Sequence, residues 1–398
     1  MRSRLIAPAV AVALAAAVSN SAAQQPDPRL SEERQPVGWS LTPRLTTGAA
    51  YDDNVLVQGT TTGDPASDLN TSVTPGGSLD YIGKRSAFNA SYFGAVQLYR
   101  DFSTLNSYDQ SMNVSARRVL TRHTLVFAQQ SYSITPTTAV PEIVGVPFLR
   151  VGARIADFRG GFEATPARHL QVSASYNFNW IEFNKDPVLG VSLLGGHSNG
   201  GAAGLKYQTS DRMMLTADYD IQVADVIDGS AFNVQNWWAG ADYRLSENSR
   251  AYGALGVSRL YAKDILPGKT SPAWRAGYSH YFEDLSFDAS YARSFVPSYG
   301  GGGTLSNQDL TASVHVPIGR RMYTTGTFSV RSDEPVIAGG LPLKSMWVGG
   351  VLGYAVHPWL HVEGFYGGTH QSIDRPGGRL NRNRIGVQVT TAKPVRIR

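Results

Sequence analysis

The clearest signal along this chain is alternation. In residues 169–185, HLQVSASYNFNWIEFNK, Leu170, Val172, Ala174, Tyr176, Phe178 and Trp180 fall on one parity, and Gln171, Ser173, Ser175, Asn177 and Asn179 on the other. Successive side chains of a strand point to opposite faces, so the stretch predicts a strand with one apolar and one polar face. The pattern holds for about eleven residues, within the roughly 9–11 that a tilted strand needs to cross a bilayer.

The device repeats. Phe88, Ala90, Tyr92, Val96 and Leu98 oppose Asn89, Ser91 and Gln97; Met213, Leu215, Ala217, Tyr219 and Ile221 oppose Thr216, Asp218, Asp220 and Gln222. Leu285, Phe287, Ala289 and Tyr291 oppose Ser286, Asp288 and Ser290, and Leu310, Ala312, Val314 and Val316 oppose Asp309, Thr311, Ser313 and His315. Very short turns, at 83–86, 121–123, 166–169, 209–212, 246–250, 283–285, 319–321 and 357–360, alternate with mostly longer connections such as 135–148, 185–196, 263–271 and 333–344. This organisation predicts an all-β fold, a transmembrane antiparallel β-barrel of about 18 strands, or 16 where boundaries shift, with short periplasmic turns and longer extracellular loops. Tyr and Trp near strand ends are candidates for interfacial girdles, and the inward faces read as polar and glycine-rich, with Gly94, Gly240, Gly253, Gly277, Gly326 and Gly349 easing curvature. A propeller is disfavoured because no repeat of about 40–50 residues appears. A sandwich would need a second apolar face.

Composition sharpens this picture. Hydrophobic residues make up 42% of the chain but arrive singly, so they need an apolar environment outside the protein. Met1–Arg4 is basic, residues 5–18 are small and apolar, and Ser21, Ala22 and Ala23 supply a cleavage site. Residues 1–23 therefore read as a signal peptide, 24–37 as a flexible periplasmic leader and 38–398 as the barrel, with the bacterial outer membrane as destination. No cysteine is present, so the exported chain relies on burial and backbone pairing. Of the formal net charge of +5, Arg2 and Arg4 would leave with the signal peptide, and no basic cluster with interleaved aromatics points to nucleic acid. The partners expected are outer-membrane lipid and lipopolysaccharide.

No catalytic, cofactor or metal motif emerges. His280 shares parity with Trp274, Ala276 and Tyr278 and reads as an interfacial side chain, while His357 and His361 flank a turn and share no helical face. The lumen is more informative. Parity points Arg44, Arg117, Lys206, Arg244, Arg275, Arg331, Arg382 and Arg384 inward, with Asp80, Asp218, Asp220, Asp242, Asp288, Asp309 and Glu363 as the acidic counterpart. Opposing rows of such charge would set a transverse field favouring polar solutes, whereas mutual neutralisation across a filled lumen is the simpler alternative. Trp238, Tyr323, Trp347 and Phe365 share the inward parity and offer faces for sugar rings, or for packing against an inserted loop.

Residues 41–55, LTPRLTTGAAYDDNV, resemble the opening strand of the β-barrel porin family of bacterial outer-membrane proteins known as type 2 β-barrel porins, in which such a strand leads into a Tyr-Asp-Asp-Asn-like step. The resemblance implies an outer-membrane barrel of roughly 18 strands linked to exopolysaccharide synthesis and export, with polysaccharide and a periplasmic export protein as partners. One departure is the end of the chain, TTAKPVRIR, which lacks a terminal aromatic residue; the last strand is expected over 384–391, followed by a basic tail. The reading is a channel for exported polysaccharide. Its alternatives are a general diffusion porin for small polar solutes, with a constriction loop at 135–148 or 185–196, and a plugged structural or adhesive barrel.

Overall fold

A computed structural model describes residues 37–59, 65–138, 146, 148–184, 193–227, 231–262, 268–282, 285–299, 304–336, 342–373 and 378–397. The expected signal peptide and almost all of the leader lie outside the described residues. The chain forms β1 (Gly38–Asp52), β2 (Asp68–Ile82), β3 (Ser86–Tyr99), β4 (Ser107–Thr121), β5 (Thr124–Thr135) and β6 (Ala153–Ala167). It continues through β7 (Leu170–Phe183), β8 (Gly196–Gln208), β9 (Met213–Val226), β10 (Ala231–Arg244), β11 (Ser249–Ala262) and β12 (Lys269–Phe282). The last third holds β13 (Leu285–Pro297), β14 (Thr304–Ile318), β15 (Met322–Pro335), β16 (Leu343–His357), β17 (Leu360–Ile373), β18 (Arg379–Ala392) and the short β19 (Val395–Ile397).

Each strand from β1 to β18 pairs antiparallel with its sequence neighbours, and β1 also pairs with β18, from Arg44↔Ala392 to Asp52↔Arg384. The sheet therefore closes into an 18-strand barrel, the arrangement that satisfies backbone groups where no water can; β12 and β13 pair only from Phe282↔Leu285 to Trp274↔Arg293. The chain end departs from the expected basic tail: β18 reaches Ala392, and Val395–Ile397 pairs with Leu41–Trp39 of β1.

The register assigns the faces. Leu255, Val387 and Ile385 stand outward at 74%, 61% and 59% exposure, as side chains meeting lipid do. At the short-turn end, Trp39 packs 4.9 Å from Tyr81 and 6.0 Å from Phe88, and Tyr278 lies 6.1 Å from Phe287, an aromatic band at one rim. Of the six glycines singled out from the sequence, Gly240, Gly277 and Gly349 take the inner parity, whereas Gly94, Gly253 and Gly326 take the outer one.

The Tyr-Asp-Asp-Asn step proves to be a joint between β1 and β18. Tyr51 faces out, while Asp52 turns inward and is fully buried against Arg382. Asp53 accepts from the Asn383 backbone N–H at 2.6 Å and from its side-chain amide at 2.7 Å. Asn54 Nδ2 donates to the carbonyls of Gln58 and Asn381, both at 2.9 Å. Beyond it Val57 has φ +54°, unusual for a β-branched residue, and its side chain is buried with Phe148 and Leu380.

If the outer face meets hydrocarbon, Leu255→Arg near mid-height should cost about 2–4 kcal/mol, whereas Asn113→Arg on the inner parity should cost far less. Urea unfolding of the two variants in lipid bilayers would compare them.

Candidate solute pathway

The lumen narrows because two connections fold into it. The described ends of the β5–β6 connection meet, with Thr138 N–H donating to Leu149 O at 2.9 Å and Leu149 N–H to Thr138 Oγ1 at 2.7 Å. Phe148 N–H then donates to Gln371 Oε1 of β17 at 2.6 Å, and Phe148 packs on Val57 and Leu380. Arg150 ties the same segment to the wall: Nη1 donates to Val55 O at 2.9 Å and Tyr99 Oη at 3.3 Å, Nη2 donates to Leu105 O at 3.1 Å, and the guanidinium lies 4.8 Å from the Tyr99 ring centre. The described residues of the first expected constriction segment, 135–148, are thus inward; of the second, 185–196, residues 185–192 lie outside the described residues, while Leu193 and Leu194 pack on the interior cluster.

The second inward element is the end of β13. Phe295 and Tyr299 are buried with Val146, Val151, Ile181, Phe183, Val226, Phe232, Val234 and Leu260, which forms an apolar plug inside the barrel at its long-loop end. Beside these segments remains a cavity of about 1130 Å³, bordered by the inner faces of β1 to β9 and of β16 to β18. Ser, Thr, Asn and Gln are the largest group in its lining, with Arg150, Arg159, Arg382, Arg384, Asp109, Asp157 and Asp220 as its charges.

The register puts all the candidate lumen residues on the inner parity, but it divides them among several settings. Arg382, Arg384, Asp220, Trp347 and Phe365 line the cavity. Arg44, Tyr323 and Glu363 gather towards the short-turn end, where Tyr323 Oη and the Gln388 amide donate to the Glu363 carboxylate. Trp238, Asp218 and Arg275 form a third group: Trp238 Nε1 donates to Asp220 Oδ1 at 3.0 Å, its ring packs on Ala254 and Ala273, and the Arg275 guanidinium covers it at 4.8 Å. Gly256 makes this seat, since a Cβ there would stand 2.8 Å from Trp238 Cε3. Arg117, Lys206 and Arg244 lie on the inner parity near the short turns, as does Asp288, which accepts from Tyr281 Oη at 2.8 Å.

Among the described residues the ion pairs of the inner face run along the wall rather than in opposing rows across the lumen. Arg275 pairs with Asp218, Arg250 with Asp242, and Arg331 Nη2 with Asp309 Oδ2 at 3.8 Å, each along the wall. Asp52 Oδ2 takes Arg382 Nη2 at 2.6 Å and lies 3.6 Å from Arg384 Nε. Apart from Arg275 and Asp218, which lie three strands apart, these pairs join adjacent strands, where same-face residues stand only about 4.5–5.5 Å apart and a carboxylate finds a local cation first.

Parity reasoning missed Asp52, which shares Arg44's parity and could have been read from it, and Asp109, Asp157 and Arg159, which alternate with outward residues on β4 and β6. Arg150 left no periodic signal because it lies in a connection. On the outer wall, Ser249 Oγ and His280 Nδ1 lie 2.7 Å apart, with His280 stacked on Tyr278, an arrangement that fixes an interfacial histidine.

No protein-family model matches the sequence, and no curated protein matches it either. Among solved structures the chain is similar to OpdQ of Pseudomonas aeruginosa, at 7% identity, a TM-score of 0.46, and 90% of this chain and 98% of that one covered. OpdO of the same organism gives 12%, 0.46, 89% and 97%, and OccAB3 of Acinetobacter baumannii 11%, 0.45, 89% and 99%.

The Asp52 seam yields a stability prediction. Asp52→Asn leaves the Arg382 guanidinium buried without its counter-charge and should destabilise the barrel by about 3–5 kcal/mol. Asp52→Asn combined with Arg382→Met should recover most of that loss in equilibrium unfolding.

Proposed function

We propose that the protein is an outer-membrane channel for small polar solutes. The observation that carries this reading is the divided lumen: a polar cavity of about 1130 Å³ remains beside two inward-folded connections that narrow the barrel. Serine, threonine and amide side chains along that cavity replace lost hydration for a polar solute, and wall-paired charges keep the passage wet. The apolar outer face and the alternation of short turns with longer connections fit the outer membrane, with the turns in the periplasm and lipid and lipopolysaccharide around the barrel.

An exported polysaccharide strand is favoured less than it was by parity alone. A conduit for a polymer needs an unobstructed track of ring faces, yet Trp238 is held flat against its wall and Tyr323 is bound to Glu363, which leaves Trp347 and Phe365 on the cavity. The inward segments also match the constriction that a diffusion porin requires.

Liposomes carrying the purified barrel should swell in isotonic monosaccharide and disaccharide and should not swell in long dextrans. Failure to swell in any sugar would remove the channel reading, and swelling in long dextrans would restore the polymer conduit. Gln371→Ala, which frees the Phe148 backbone, should raise single-channel conductance without altering barrel yield.

A further inference from the structure

The outer wall carries a ring of paired polar groups at one level. Tyr92, Tyr176, Tyr291 and Tyr366 are each the seventh residue of an odd-numbered strand, β3, β7, β13 and β17, and each takes the outward parity. Each hydroxyl reaches diagonally to an outward amide on the following strand, donating to Gln110 Oε1 at 3.2 Å, Asn199 Oδ1 at 2.6 Å, Gln308 Oε1 at 3.1 Å and Asn383 Oδ1 at 2.7 Å. Tyrosine keeps its ring in an apolar layer and its hydroxyl in a polar one, so the ring of pairs marks where hydrocarbon gives way to lipid headgroups on the long-loop side.

The outward charges agree with that level. Below it β13 presents Leu285, Phe287 and Ala289, and β14 presents Leu310, Ala312 and Val314. Nearer the long loops, two outward basic groups each meet a carboxylate across the register: Arg154 Nη1 lies 3.6 Å from Glu182 Oε2, and His197 Nε2 lies 3.4 Å from Asp225 Oδ2.

Arg293 is different. It is the ninth residue of β13, opposite Gln308 in the register and therefore level with the amides of the ring. Its guanidinium lies over Trp274, 4.6 Å from the ring centre, and among the described residues it has neither a hydrogen bond nor an ion pair; Nε is shielded from solvent and has no acceptor. Gln308 accepts from Tyr291 through Oε1, and its amide N–H2 has no acceptor among the described residues. Just above, pairing with β12 ends and β13 turns inward, so Phe295, the next residue of outward parity, is buried inside the barrel, where its N–H donates to Ser258 Oγ at 2.9 Å. The outer face thus lacks a side chain immediately above the guanidinium, which leaves a notch floored by Arg293 and Trp274.

A cation on the lipid side of a membrane wall is costly unless it meets a counter-charge there, and the guanidinium fork matches the oxygens of a phosphate. We propose that this notch seats a lipid A phosphate of lipopolysaccharide, held by Arg293 with the Gln308 amide beside it. The acyl chains run down the apolar outward residues of β13 and β14 beneath it. Lipopolysaccharide is the occupant because the notch opens on the long-loop side, at headgroup level in the external leaflet. The inference rests on the outer-membrane placement proposed above and not on conduction.

Native mass spectrometry of the whole barrel in detergent, with lipid A, dephosphorylated lipid A or phosphatidylglycerol added at equal concentration, tests the seat. The wild-type barrel should bind lipid A about tenfold more tightly than the dephosphorylated form, the worth of one charge-assisted contact. Arg293→Gln should erase that preference and Arg293→Lys should keep most of it, with heat-modifiable gel migration showing that each variant is folded. Arg118→Gln, which removes an outward arginine near the short turns, should leave it unchanged. An undiminished preference in Arg293→Gln would overturn the seat, and so would an equal loss in Arg118→Gln. Equal affinity of the wild type for phosphatidylglycerol would overturn lipopolysaccharide as the occupant. Lipid binding is measured in detergent and sugar permeation in liposomes, so failure of the seat and failure of the channel reading are seen separately.

Discussion

Backbone pairing without a free edge is the constraint on which this structure depends. Hydrocarbon offers no partner for an N–H or C=O, and each group left unpaired there costs several kcal/mol. A sheet that closes by joining β1 to β18 removes that cost, and strand alternation then follows from what lies on each side of the wall. The apolar residues of this chain do not build a central core for the sheet. They coat its outside, and the interior is stabilised by side-chain hydrogen bonds, local ion pairs and an apolar plug where the long-loop ends of the strands meet Val146, Val151 and Tyr299 of the connections.

That division explains how legible the molecule is from its sequence. Period-two patterning located the strands, and the alternation of turn lengths ordered them, because both arise from local geometry. Inner parity for Arg44, Asp220 or Trp347 follows from the same rule. What parity does not carry is which inner residues share a neighbourhood. Trp238 reads as a free ring face, yet its seat comes from Gly256 on the next strand and Arg275 two strands away. Arg150 was invisible because no period runs through a connection, and its three carbonyl and hydroxyl partners come from three separate segments.

The end of β13 shows the opposite case, where a correct pattern gives an incomplete account. Phe295 lies on the lipid-facing parity and is nevertheless buried inside, beyond the point where β12–β13 pairing stops at Trp274↔Arg293, next to Pro272, which has no N–H to donate. Side-chain periodicity describes faces; it does not guarantee that the neighbour can offer its hydrogen bonds. The inward path then determines how much of the lumen stays open.

The seam at Asp52 carries a consequence for how the molecule comes together. Its carboxylate and the Arg382 guanidinium are 330 positions apart along the chain, and so are the groups joined by Asp53 and Asn383. Loop-closure entropy makes such a contact among the last to form, after nearly every hairpin has been laid down beside its neighbour. The most buried ion pair among the described residues therefore acts as a clasp on the finished ring, holding shut the one junction that no short turn can enforce.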